Sequence, residues 1–170
     1  MLTGGPTRSS PRFGRLNVRP LFTLCAAGAL LIAGCATPET TPVSGPTWQV
    51  AGIFMSADEP GALPRDAAGR AVLAFGDGTV SGDSGCGPIQ GSVTFSRDGQ
   101  SATAKNADSV TFEQVTITET EPCEGGRAYV HGQLSTLLDG PYRMRHVSDT
   151  ELSLIRDDGS VDSPIIRLVS

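Results

Sequence analysis

Short segments rich in β-branched and aromatic residues, each bounded by turn residues, dominate the chain from Trp48 to its end. Segments of this length and composition are typical of β-strands. Asp-Gly pairs follow several of them and favour antiparallel hairpins, because these residues accept positive φ. The pairs are Asp77-Gly78, Asp98-Gly99 and Asp158-Gly159. The predicted strands cover residues 48–55, 70–75, 78–82, 91–97, 101–106, 110–118, 142–147, 151–156 and 164–169.

One segment, residues 126–138, has the period of a helix instead. Its large apolar residues are spaced i, i+4, i+7 and i+8, which places them in one stripe. They are Val130, Leu134, Leu137 and Leu138. An apolar stripe on a helix has to be buried against another element. The sequence therefore predicts an α+β fold, with a curved antiparallel β-sheet or a partly closed barrel and one packed α-helix.

The N-terminal 34 residues differ in composition from the rest. They hold four arginines and no acidic residue, and residues 21–34 carry no charge. This apolar run of 14 residues is shorter than the roughly 20 that a helix needs to cross a bilayer. A basic region followed by a short apolar region is typical of a signal segment that is removed on export.

The apolar run ends in Ile32-Ala33-Gly34-Cys35, which resembles the lipobox of bacterial lipoproteins. The resemblance implies cleavage before Cys35 and a lipid (diacylglyceryl, with palmitate as a typical acyl chain) on the Cys35 thiol. The alternative is an ordinary secretory signal with a chance cysteine near the cut. We expect a signal peptide at 1–34, a lipidated cysteine and Pro/Thr-rich tether at 35–46, and one domain at 47–170. The predicted location is the extracytoplasmic face of the cell membrane or outer membrane.

The charge of the mature chain limits its partners. The four arginines leave with the signal, so nine basic residues remain against 18 acidic ones, a net charge of about −9. Such a domain is not expected to bind nucleic acid, whose phosphates would repel it. Anionic lipid headgroups would repel it as well. The membrane is therefore an expected partner only through the lipid anchor on Cys35.

Two of the four cysteines remain for the folded domain. Cys25 lies in the signal and Cys35 is the lipidation site, which leaves Cys86 and Cys123. Disulfides form and persist in exported proteins because their compartment is oxidising. Cys86 and Cys123 are therefore predicted to form a disulfide.

The domain resembles the META family, the HslJ type found in bacterial envelopes. Trp48 stands at its start, and residues 73–93 read LAFGDGTVSGDSGCGPIQGSV, close to the strand, Ser-Gly-x-x-Gly-Cys turn and Gly-rich hairpin of that family. Cys123 matches the second cysteine, residues 129–138 the helix, and residues 151–155 the closing hairpin. The resemblance covers most of the mature chain.

The chain departs from the family pattern at Gly87, where an asparagine usually follows the first cysteine. Any role of that asparagine amide is therefore in doubt here. The resemblance implies a compact β-rich domain with one helix, often on a lipoprotein, linked in some members to stress response. It implies no established enzymatic reaction.

The sequence Gly82-Asp83-Ser84-Gly85 matches the run around the nucleophile of chymotrypsin-like proteases. In that family the histidine base precedes the serine, whereas His131 and His146 both follow Ser84. The alternative is a turn in which glycine supplies positive φ and Asp83 and Ser84 bond nearby backbone amides. We predict the turn and assign no catalytic residue.

Ligand-holding motifs are weak as well. Neither histidine has a second His or Cys at metal-ligand spacing. Residues 157–162 resemble a fragment of a calcium loop without its closing glutamate, so a hairpin turn is predicted there. We expect no metal and no cofactor.

Three hypotheses for the function follow. The first is a non-enzymatic envelope module, stress-related or otherwise, that binds an envelope protein or a small apolar ligand between sheet and helix. The second is a structural envelope lipoprotein without a ligand pocket. The third is a serine hydrolase using Ser84, which would need a histidine within hydrogen-bonding reach.

Overall fold

The computed structural model of the chain describes residues 42–56, 58–120 and 122–170. All of them belong to one compact unit, Ala36–Ser170. The predicted signal peptide, the lipobox with Cys35 and most of the predicted tether lie outside the described residues. The described elements are β1 (Thr47–Phe54), β2 (Ala71–Phe75), β3 (Thr79–Ser84), β4 (Pro88–Arg97), β5 (Gln100–Ser101), β6 (Ser109–Ile117), α1 (Gly125–Leu137), β7 (Gly140–Ser148), β8 (Glu151–Arg156) and β9 (Ile165–Val169).

Eight of these strands form a closed antiparallel barrel. The order around it is β3-β2-β1-β9-β8-β7-β6-β4, and pairing of β3 with β4 closes the ring. The two-residue strand β5 adds to the edge of β4 only. The prediction of an antiparallel sheet curved into a barrel with one packed helix is confirmed, and the barrel is closed rather than partly closed.

The barrel wall follows from the alternation of apolar and polar residues along each strand. On β7 the side chains of Tyr142 and Met144 are buried while their neighbours Arg143 and Arg145 are exposed. The same alternation on the other strands brings the largest side chains into one core. Trp48 is fully buried there, and its indole Nε1 donates to the carbonyl oxygen of Val43 at 2.8 Å.

One predicted strand, 101–106, is wrong. Only Gln100–Ser101 pairs with β4, and the chain then turns, with the amide of Asn106 donating to the carbonyl oxygen of Thr103 at 3.0 Å. Ala104 is the buried residue of this loop. Because a single small apolar side chain reaches the core here, the segment has too little apolar surface to hold an extended strand against the barrel.

The helix forms where the apolar stripe predicted it. Val130, Leu134 and Leu137 are buried in the same core as the barrel interior. At the C-terminal end the hydroxyl of Tyr142 donates to the carbonyl oxygen of Leu137. Burial raises the pKa of Tyr142 to about 12, so the phenol is neutral and remains a donor. Helix and barrel therefore share one core and one buried hydrogen bond.

The N-terminal end of α1 is capped from a distant loop. The residue at the N-cap position, Glu124, makes no side-chain cap. Instead the amide of Gly126 donates to Oδ2 of Asp66 at 2.8 Å, across 60 positions of sequence. A carboxylate at this end satisfies a free amide and complements the helix dipole. Asp66 therefore stabilises the start of the helix.

Replacing Asp66 by alanine is expected to lower the free energy of unfolding by about 1 kcal/mol, because the Gly126 amide loses its acceptor. Urea unfolding followed by circular dichroism measures this. Asp162→Ala is the matched control, since the exposed Asp162 side chain makes no hydrogen bond within the described residues. Equal stability of the two variants would show that Asp66 does not act as a cap.

Candidate functional site

The turn predicted at residues 82–85 is confirmed in part: residues 82–84 belong to β3, and the chain turns at residues 85–87, the centre of the candidate site. The amide of Ser84 donates to the carbonyl oxygen of Gly87 at 2.9 Å, and Gly85 has φ of 89°. Oδ1 of Asp83 accepts from the amide of Gly85 at 2.7 Å. The Ser84 hydroxyl oxygen accepts from the amide of Cys86 at 3.3 Å. The side chains of Asp83 and Ser84, at the end of β3, thus hold the turn that follows them.

The fold brings Ser84 into contact with His131 on α1, which the sequence did not indicate. The Ser84 Oγ lies 2.8 Å from Nδ1 of His131, although 47 positions separate them. The same Oγ lies 3.0 Å from the carbonyl oxygen of Gly87. A hydroxyl has one hydrogen to donate and two lone pairs to accept with. If it donates to Gly87 and accepts from Cys86 and from Nδ1–H of His131, every capacity of the oxygen is used.

This arrangement differs from an activated nucleophile in two respects. Ser84 is fully buried, with an exposed fraction of 0%, so its Oγ has no surface open to a substrate. Within the described residues no carboxylate bonds the ring of His131, whereas a catalytic histidine base is usually oriented by one. The contact fastens the helix to the turn.

A disulfide crosses the same junction. Cys86 and Cys123 are bonded, with their Cα atoms 5.5 Å apart, which confirms the predicted pairing. Cys86 lies in the turn, and Cys123 immediately precedes the N-cap Glu124 of α1. The helix is therefore joined to the β3–β4 turn covalently near its start and by the His131 hydrogen bond about two turns further on.

Two surface depressions flank this junction. A polar cleft of about 240 Å³ lies at the turn. Its lining residues are Asp83, Gly85, Cys86, Gly87, Thr120, Pro122 and Arg127. A groove of about 310 Å³ lies between the end of β6 and the end of α1. Its lining residues are Val115, Thr116, Ile117, Ser135 and Leu138, which we call the β6 groove.

His146, the other histidine, lies apart from this site. It is half-buried on β7, and its Nδ1 has no hydrogen-bond partner within the described residues. Burial lowers the pKa of His146, because the imidazolium form would lose hydration without gaining a partner. His146 is therefore held neutral in the folded protein at a pH where an exposed histidine begins to charge.

Lowering the pH is consequently expected to destabilise the fold through His146. Below the ordinary value of 6.5 the unfolded chain takes up a proton that the folded chain does not, so stability is lost as pH falls through the folded pKa. His146→Gln should flatten the fall in the free energy of unfolding between about pH 7 and pH 5.5. Denaturation series at several pH values measure both chains. Parallel pH curves would contradict this role.

The loop that resembles a fragment of a calcium site is closed by its own hydrogen bonds. Oδ1 of Asp158 accepts from the amide of Ser160 and from the hydroxyl of Ser163, both at 2.9 Å. These bonds lower the pKa of Asp158. In the part of the chain that the structure describes, no group of three or more acidic, histidine or cysteine side chains could hold a metal ion.

The fold, but not the sequence, is similar to known proteins. No family model matches the chain, and no curated protein matches it either. An NMR structure of a protein from Burkholderia xenovorans aligns with a TM-score of 0.53 and 18% identity, over 79% of this chain and 92% of that one. Another NMR structure aligns with a TM-score of 0.49 and 13% identity, over 78% and 93%. At 18% identity, the likeness to the Burkholderia protein concerns the barrel architecture alone.

No helix among the described residues is long and apolar enough to cross a membrane.

Proposed function

We propose that this chain is an extracytoplasmic lipoprotein, anchored by lipid on Cys35, whose barrel is a non-enzymatic binding module of the META or HslJ type. The observation that carries the proposal is the Cys86–Cys123 disulfide. Structural disulfides are rare where thiols are kept reduced and common in exported proteins. The disulfide and the signal-like N-terminus, which are independent features, favour the same compartment.

The placement of the motif residues supports the META proposal. Trp48 lies in the first strand, Cys86 in the turn after β3, and Cys123 directly before the helix. Leu152 and Leu154 of the late hairpin are both buried. The motif residues thus occupy positions at which a barrel needs a large core side chain, a cross-link or a buried strand.

The saturated environment of Ser84 supports a non-enzymatic role. Its hydroxyl has hydrogen-bond partners in the turn and on the helix, and it is fully buried. A nucleophile that gave up its proton would leave the Gly87 carbonyl without its side-chain donor and would have to move to reach a substrate. The chemistry that the geometry favours for Ser84 is the fastening of α1 to the turn.

A serine hydrolase is the second candidate, favoured by the 2.8 Å between Ser84 Oγ and His131 Nδ1. A fluorophosphonate probe, which reacts with activated serines, distinguishes a serine hydrolase from a non-enzymatic module. We expect no labelling of the intact chain under conditions that label trypsin completely. Labelling that disappears in both Ser84→Ala and His131→Gln would overturn the non-enzymatic proposal.

The anchor is tested by two cysteine variants expressed in a bacterial host. Cys35→Ser should move the protein out of the detergent-phase membrane fraction, because it removes the lipidated thiol. Cys25→Ser is the matched control, since Cys25 is expected to leave with the signal, and it should fractionate like the unaltered chain. Retention of Cys35→Ser in the detergent phase would contradict a lipid anchor at this residue.

A further inference from the structure

β6 leaves one stretch of barrel wall open. It pairs with β7 only from Ser109 to Phe112, whereas its pairing with β4 continues to Ile117. Within the described residues no strand lies on the β7 side of residues 113–117. In an otherwise closed barrel this is a short free edge, and a free edge is a template for another strand.

The backbone of this edge is turned toward the β6 groove. The amide of Thr118 donates to the carbonyl oxygen of Pro88, so Thr118 is bonded to β4. Since successive residues of a strand direct their N–H and C=O groups to opposite sides, those of Ile117 point away from β4. No backbone hydrogen bond from a turn or loop in the described chain reaches them. They are available to an incoming chain.

A backbone irregularity lies beside the opening. Gln114 has φ of 47°, which is uncommon for a residue other than glycine, and the register between β4 and β6 shifts beside it, between Gln90 and Ser92. A bulge of this kind bends the strand and ends its pairing on one side. Strained non-glycine residues of this kind are found at functional sites more often than elsewhere. Here the pairing with β7 ends at Phe112, because β7 begins opposite it at Gly140, directly after α1. The bulge lies just beyond that point, and the groove of about 310 Å³ lies beside the helix.

The acidic residues near the groove favour a positively charged occupant. Glu113 and Glu119 flank the free edge on β6 and just beyond it, and Asp139 follows the lining residue Leu138. All three are exposed. An extended segment carrying lysine or arginine would bring positive charge to this rim, whereas an acidic segment would be repelled.

We propose that the β6 groove binds an extended, cationic polypeptide segment as an added β-strand. Main-chain hydrogen bonds to Ile117 would supply the pairing, and the apolar residues in the mixed lining of the groove, Val115, Ile117 and Leu138, would contact every second side chain of the segment. This deepens the binding role in the proposed function but does not rest on the lipid anchor, so either can fail alone.

The test uses the full chain, purified in detergent, and fluorescent hexapeptides with blocked ends. The sequence Lys-Val-Lys-Val-Lys-Val is expected to bind at least about tenfold more tightly than Glu-Val-Glu-Val-Glu-Val. It should also bind about tenfold more tightly than a copy N-methylated at alternate residues, which keeps the charge but loses strand donors. Fluorescence anisotropy measures all three. Equal affinity for the methylated peptide would overturn strand addition.

A matched pair of variants locates the binding. Ser135 and Thr136 are both exposed on α1, and each hydroxyl bonds the carbonyl oxygen four residues earlier. Only Ser135 lines the groove. Ser135→Arg should reduce affinity for the lysine peptide at least about tenfold, while Thr136→Arg should leave it within about twofold. Equal affinities of the two variants, with unchanged circular dichroism, would show that the peptide does not occupy the β6 groove.

Discussion

Replacing Cys86 and Cys123 together by alanine is expected to lower the free energy of unfolding by about 3 to 4 kcal/mol. The disulfide closes a loop across a sequence separation of 37. On the chain-entropy account, a cross-link of this span restricts the unfolded chain far more than the folded one. In a domain of ordinary stability this is a large fraction of the total. Chemical denaturation of the oxidised chain and the double variant measures the difference.

The reduced form of the unaltered chain is the matched control for this loss. It keeps both cysteine side chains and loses only the bond, so a similar decrease there would assign the effect to the cross-link. The hydrogen bond of Ser84 to His131 should survive in the double variant at low temperature, because it does not depend on the disulfide. If the free energy of unfolding of the double variant falls by less than about 1 kcal/mol, the disulfide does not fasten the turn to the helix.

Gly87→Asn is expected to lower the free energy of unfolding by about 3 kcal/mol, although it introduces the residue usual at the corresponding position of the META domains that the sequence resembles. A Cβ at Gly87 would overlap the backbone carbonyl oxygen of Thr118. That carbonyl cannot recede freely, because neighbouring amides on both sides are bonded: Thr118 donates to Pro88 at 3.1 Å and Thr120 to Cys86 at 3.2 Å. The substitution therefore has to break or stretch these bonds.

Gly99→Asn is the matched control. Gly99 has φ of 74°, a conformation that asparagine tolerates better than most residues, and no atom lies within 4 Å of a Cβ placed there. Its substitution should change stability by less than about 1 kcal/mol. Equal stability of the two variants in thermal unfolding would mean that position 87 accepts asparagine, and that the difference from the META pattern at this position has no steric cause.

The fold was predictable where the information is local. The apolar stripe ending at Leu138 predicted α1, and alternation within short segments predicted most strands to within a few residues. The closure of the barrel was harder to predict from the sequence, because the pairing of β3 with β4 depends on a hydrogen-bond register that no single segment encodes. The segment 101–106 misled because its polar residues and alanines fit a strand on the surface as well as a loop over the core.

The candidate site was predictable only in part, for a similar reason. If Cys25 and Cys35 are assigned to the expected signal and lipidation site, a single cysteine pair remains, so the disulfide could be predicted without knowing any distance. The contact of Ser84 with His131 and the cap that Asp66 gives to Gly126 join residues 47 and 60 positions apart. Neither has a short motif. A serine in a glycine-rich turn and an acidic residue in a loop indicate such contacts only once the helix has been placed.

The central claim is export, cleavage before Cys35 and lipidation there, and intact mass spectrometry of the protein extracted from bacterial membranes tests it most directly. The account predicts a chain that has lost residues 1–34, carries a diacylglyceryl group, and gains the mass of two hydrogens on reduction of the Cys86–Cys123 bond. A full-length, unlipidated chain with both thiols free would contradict the account.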